Sequence, residues 1–86
     1  MENSVTIKFE QMSQVYDFLN EIRNFKSDID LLSANNHRYC IDAKSILGVL
    51  ALDISNVLIV RILSENEEEI KEFFTVMGKY KYVDTK

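Results

Sequence analysis

The sequence predicts an α+β fold, an open sandwich in which an antiparallel or mixed sheet is covered by helices on one face. Three observations lead to it. "SVTIKF" alternates with the period of a strand, apolar residues from Met12 to Ile22 recur at three and four as in a helix, and "NVLIVRIL" is apolar on both faces, as a strand inside a sheet must be. The whole chain, residues 1–86, reads as one domain, because so short a chain has too little interior to divide between two cores.

In "SVTIKF", Val5, Ile7 and Phe9 fall on one side and Thr6 and Lys8 on the other, which gives a first, half-buried strand. Met12, Val15, Leu19 and Ile22, with Phe18 beside them, then form the apolar stripe of a helix; Asp17, Asn20, Glu21 and Arg23 lie largely off it, and Ser13 reads as the cap. "SDIDLLS" and "HRYCIDA" are strand segments joined through the turn formers of "SANN". "AKSILGVLAL", with Gly48 in its middle, is ambiguous by periodicity between a strand and a short buried helix. "NVLIVRIL", interrupted only by Arg61, belongs inside the sheet. The last helix starts in "SENEEE", with Ser64 or Asn66 as cap and carboxylates at the positive end of its dipole, and carries Ile70, Phe73, Phe74 and Met77 as its apolar stripe.

Composition narrows the function. A net charge of −4 and a pI near 4.9 disfavour a nucleic-acid partner, which usually meets a clustered basic face. The single cysteine, Cys40, cannot form an internal disulfide and fits a cytoplasmic protein. "ILGVLAL" and "VLIV" are too short to span a bilayer, and "MENSVTIKFE" lacks the basic start of a signal peptide, so no membrane association is expected.

"FKSDIDL", a hairpin, "DAKSILGVLAL", a strand and the acidic "ENEEEIKEFF" helix, taken together, resemble the HPr family, the histidine phosphocarriers of the bacterial phosphoenolpyruvate-dependent sugar phosphotransferase system. The resemblance runs over residues 4–80 and is strongest in "AKSILGVLAL", close to the family's serine-site signature. It implies an HPr-like open-faced β-sandwich, β-α-β-β-α-β-α, with a four-stranded antiparallel sheet in the order 1-4-2-3 and "AKSILGVLAL" as a short helix begun near Ser45. The family carries its phosphoryl group on a histidine in a glycine, apolar, histidine, alanine, arginine, proline motif at the start of the first helix. Here the matching segment is "FEQMSQVYDF", without histidine, arginine, glycine or proline. Gln11 falls near the histidine position and Ser13 near the arginine position, and an amide nitrogen is not a useful phosphoryl acceptor. The resemblance therefore implies a degenerate member that is not a histidine phosphocarrier.

Ser45 is the remaining candidate for chemistry. In HPr-like proteins of low-GC Gram-positive bacteria the matching serine is phosphorylated by an ATP-dependent kinase, and the product binds a transcription regulator. A phosphate on a serine that opens a helix meets free N-terminal amides and a positive dipole, so it can alter a surface without unfolding it. By position, Lys44 is the charged neighbour, and Ile46, Leu47 and Leu50 are the partner contacts. Against this stands the plainer reading of Ser45 as a helix cap.

His37, the only histidine, lies in "ANNHRYC" on the wrong element for the family site, and Arg38 beside it points to the opposite face of a strand. His37 and Cys40 do not complete a metal ligand set, and "ENEEE" reads as a solvated helix start, so neither metal nor cofactor is expected. The expectation is a non-catalytic, regulatory, protein-binding domain whose partners are a serine kinase, a transcription regulator or phosphotransferase components. Two rivals stand beside it: an active phosphocarrier using a nonstandard histidine, and a phosphorylation-independent interaction module, as a partner of a larger protein or as a homodimer.

Overall fold

The computed structural model describes residues 3–34, 40–45 and 57–82. In chain order these form β1 (Asn3–Ile7), α1 (Met12–Ile22), β2 (Asp28–Ser33), β3 (Cys40–Asp42), β4 (Leu58–Leu63) and α2 (Glu67–Met77). The α+β class, with an antiparallel sheet and two helices, agrees with the sequence expectation. The short helix expected in "AKSILGVLAL", past Ser45, and the turn expected in "SANN", past Ala34, fall in 46–56 and 35–39, outside the described residues.

All strand pairs are antiparallel, in the order β1-β4-β2-β3. The register aligns Val5, Val60 and Leu31 in one row and Ile62 with Ile29 in the next, so one face of the sheet is continuously apolar. Val15, Phe18, Leu19 and Ile22 of α1 and Phe73 and Met77 of α2 share a single core with that face. Both helices thus cover the same side. β4 can lie inside the sheet because its outward residues, Ile59 and Arg61, are also partly covered by strands on either side.

The two helices start differently. Asn66 caps α2, accepting from the backbone N–H of Glu68 at 2.9 Å and of Glu69 at 3.1 Å, while Ser64 Oγ accepts from Asn66 N–H at 3.0 Å. Both sequence candidates for that start are used, in different roles. For α1 the expected cap is corrected: Ser13 is already the second helical residue, and extended Gln11 is the N-cap, without a side-chain bond. Gln14 Oε1 instead takes the backbone N–H of Glu10, the residue before the N-cap, at 2.6 Å. Met12, assigned to the buried stripe, is 42% exposed, because the inward face of α1 begins at Val15.

Past α2 the chain returns to the sheet. Tyr80 is buried edge-on against Phe9 and Phe18, and its hydroxyl donates to Glu21 Oε1 at 2.5 Å. Lys79 pairs with the other oxygen of the same carboxylate. Lys8 N–H donates to the Tyr80 carbonyl at 3.0 Å and Tyr82 N–H to the Thr6 carbonyl at 2.9 Å, which joins the segment to the outer edge of β1.

Candidate functional site

Ser45 stands at the end of a turn that is fixed from three sides. β3 pairs with β2 through Asp42 opposite Asp30, and the chain then places Ala43 fully in the core, its N–H donating to the Ile29 carbonyl at 2.7 Å. Asp42 closes the turn with both of its acceptors: Oδ1 takes Lys44 N–H at 2.9 Å and the carbonyl takes Ser45 N–H at 3.0 Å. An aspartate holding the amide two residues on is the usual Asx turn.

Lys44 supplies the third fixation. Its Nζ donates to the Phe25 carbonyl at 2.6 Å, and Phe25 is itself buried edge-on against Phe73. The ammonium is therefore held against the main chain past the end of α1, where helix-terminal carbonyls favour a cation. Ser45 emerges from this base exposed. Ile46, Leu47, Leu50 and Gly48 follow it outside the described residues, as do His37 and Arg38.

Gln11 is at the other end of α1, which is 11 residues long, or about 16 Å at the usual helical rise. The fold consequently keeps Gln11 and the Ser45 turn apart as two separate positions. Around Gln11 the chain offers an amide, the hydroxyl of Ser13 and the carboxylate of Glu10, with no imidazole or guanidinium in residues 8–16. Sequence reasoning missed the exposure of Met12 and Tyr16 here, 42% and 55%; one helical turn apart, they form an apolar pair on the outer side of α1. Their four-residue spacing was a usable signal, since Tyr16 lies off the stripe that Val15 and Leu19 define.

The second chemical cluster lies on the side of the sheet away from the helices. There the register sets Ser4, Arg61, Asp30 and Asp42 in one row and Thr6, Ile59, Leu32 and Cys40 in the next. Arg61 Nη2 donates to Asp30 Oδ2 at 2.8 Å and approaches Cys40 Sγ at 3.8 Å. Desolvation, and then the Asp30 carboxylate, push the Cys40 thiol above its ordinary pKa, so this thiol is less nucleophilic than an ordinary one. Among the described residues no group of histidine, cysteine and carboxylate side chains could hold a metal, and no helix is long and apolar enough to cross a membrane.

No protein-family model matches the chain, and no curated protein sequence matches it. Among solved structures it is similar to the phosphocarrier protein HPr from Bacillus anthracis str. Ames, with a TM-score of 0.62, 21% identity, and coverage of 88% of this chain and 93% of that chain. The likeness extends over nearly all of both molecules, and what this chain shares with that phosphocarrier is its fold.

Proposed function

We propose that this chain is a phosphotransferase-system-related protein of the cytoplasm that acts by binding other proteins, that it neither catalyses a reaction nor passes a phosphoryl group through a histidine, and that Ser45 is the acceptor of a serine kinase. The observation that carries the proposal is the Ser45 turn, an exposed serine on a backbone fixed by Ala43, Asp42 and Lys44. A kinase needs an accessible hydroxyl, and a partner that reads the product needs the phosphate in a fixed place. Transfer breaks the bond from the γ-phosphorus of ATP to the bridging oxygen, forms one to Ser45 Oγ and releases ADP, with the hydroxyl proton passing to the kinase. In this reading Ile46, Leu47 and Leu50, which follow Ser45 in the sequence, supply the apolar part of the contact, with Lys44 as the charged neighbour. A transcription regulator of the kind that reads phosphoserine forms of HPr is the partner this arrangement suits.

At the start of α1, Gln11 falls by sequence near the position of a carrier's histidine. The degenerate site follows from that residue and from the missing arginine, glycine and proline around it.

The test is to incubate the chain with an HPr-type serine kinase and ATP, and separately with phosphoenolpyruvate and the first enzyme of the phosphotransferase system. Peptide mass spectrometry then locates any added phosphate. Modification at Ser45 in the first reaction and none in the second is the expected result. Phosphate on His37 in the second would establish the carrier reading, and an unmodified Ser45 would leave a phosphorylation-independent module.

A further inference from the structure

The face of the sheet that the helices leave open has its charges segregated. Asp30 and Arg61 compensate each other within it. Of the remaining charges among the described residues, Asp28 and Asp42, both exposed, lie toward the β2–β3 side, while exposed Lys8, which continues the outward alternation of β1, lies at the diagonally opposite corner. Between the corners Ile59 and Leu32 are only half-buried, and Leu63, beside Asp28 in the end row, is 48% exposed.

We infer that this face binds a second copy of the chain, sheet against sheet, about a two-fold axis that sets Lys8 of each copy against the Asp28 and Asp42 corner of the other. The register supports the geometry. Asp42 is three strand spacings across from Lys8 and two outward-facing residues along from it, about 14 Å in each direction at standard sheet dimensions. Equal offsets place the two corners as mirror positions about a diagonal through the Ile59 and Leu32 pair. A two-fold axis along that diagonal exchanges them and crosses the strands of the two sheets near a right angle, one of the two established modes of sheet packing. A partner of uniform charge would meet repulsion at one corner, whereas a second copy meets attraction at both.

The area puts such a pair in the class of weak, transient contacts. Strands of 5, 6, 6 and 3 residues about 4.8 Å apart give about 300 Å² per copy, less than half of the roughly 800 Å² of an ordinary stable interface. The dimer is accordingly a weak, transient one, to be sought at high protein concentration.

Sedimentation equilibrium of the full chain at low salt, from about 10 µM to about 1 mM, tests it. The expected result is concentration-dependent dimerisation, weakened about tenfold or more by Lys8→Glu alone and by Asp28→Lys with Asp42→Lys, and recovered when all three changes are combined. All three positions are exposed, and circular dichroism confirms that each variant is folded. Ile59→Thr, which keeps the branched shape at the centre of the face and adds no charge, weakens the dimer and tests the apolar part independently. A monomer throughout the range overturns the inference; so does a dimer indifferent to the single reversals, or a combined variant no better than either.

Discussion

Glu69, in the first turn of α2, holds Ser27 across 42 residues of chain: Ser27 Oγ donates to Glu69 Oε1 at 2.6 Å and Ser27 N–H to Oε2 at 3.1 Å. Lys26 N–H, at 2.9 Å, and Ser64 Oγ, at 2.7 Å, complete the set of donors. The start of β2 is thereby tied to the start of α2 by one carboxylate. Those donors, the Ser27 hydroxyl first and then that of Ser64, lower the Glu69 pKa from 4.5 to about 2.

A lowered carboxylate pKa means that the unfolded chain binds the proton more readily than the folded one. The stabilisation is therefore complete above about pH 4.5 and is lost as pH falls toward 2. Glu69→Gln is expected to cost about 1 kcal/mol at pH 7, a discounted value for a charged hydrogen-bond acceptor at the surface. Urea denaturation at pH 7 and pH 2.5 should show the gap between wild type and variant narrowing in acid. A gap that stays constant would assign it to something other than the carboxylate charge.

Lys44→Met keeps the apolar stem and removes the bond to the Phe25 carbonyl. The expected cost is about 1 kcal/mol, with faster hydrogen exchange at the Ser45 amide, whose bond to the Asp42 carbonyl closes the same turn. Exchange monitored by NMR reads this directly. An unchanged Ser45 amide would show that Ala43 and Asp42 hold the turn alone.

Phe73→Ala should be among the most damaging single changes. The ring is fully buried and meets both Phe25 and Phe74 edge-on. Truncation of a core phenylalanine costs about 3–5 kcal/mol, a large fraction of the stability of a domain this size. Thermal unfolding followed by circular dichroism provides the measurement.

Tyr80→Phe leaves the aromatic cluster with Phe9 and Phe18 in place and removes only the bond to Glu21. The expected loss is about 1 kcal/mol in chemical denaturation, from a hydrogen bond to a charged acceptor at a partly solvated site. Burial, followed by the bond to Glu21, raises the Tyr80 pKa. In the wild type its phenol should therefore remain protonated in alkaline titrations past the ordinary tyrosine range, as read by ultraviolet absorbance.

The sheet and the long helices were legible because each is written in a simple period. Val5 and Ile7 alternate with Thr6, and Val15, Phe18, Leu19 and Ile22 keep to one helical face. Details that depend on distant partners were not. Ser13 resembles a cap by residue type, but the position of a cap is set by where the chain stops being extended, and that is Gln11. Nothing near Glu69 in sequence shows that its partners are Lys26 and Ser27, or that Lys44 reaches Phe25. At the candidate site, the serine itself was visible in "DAKSILGVLAL"; the clamp beneath it required the β2–β3 register.

The bridge between β1 and residues 80–82 also sets an order of events during synthesis. Lys8 and Thr6 leave the ribosome early, yet their outward backbone groups wait for Tyr80 and Tyr82, more than seventy residues later. Until those tyrosines clear the exit tunnel, the nascent chain has an open strand edge and lacks the ring that closes the core between Phe9 and Phe18. Completion of the fold is therefore an event after translation of residue 82, and the interval before it is when β1 is open to chaperones or to a neighbouring nascent chain.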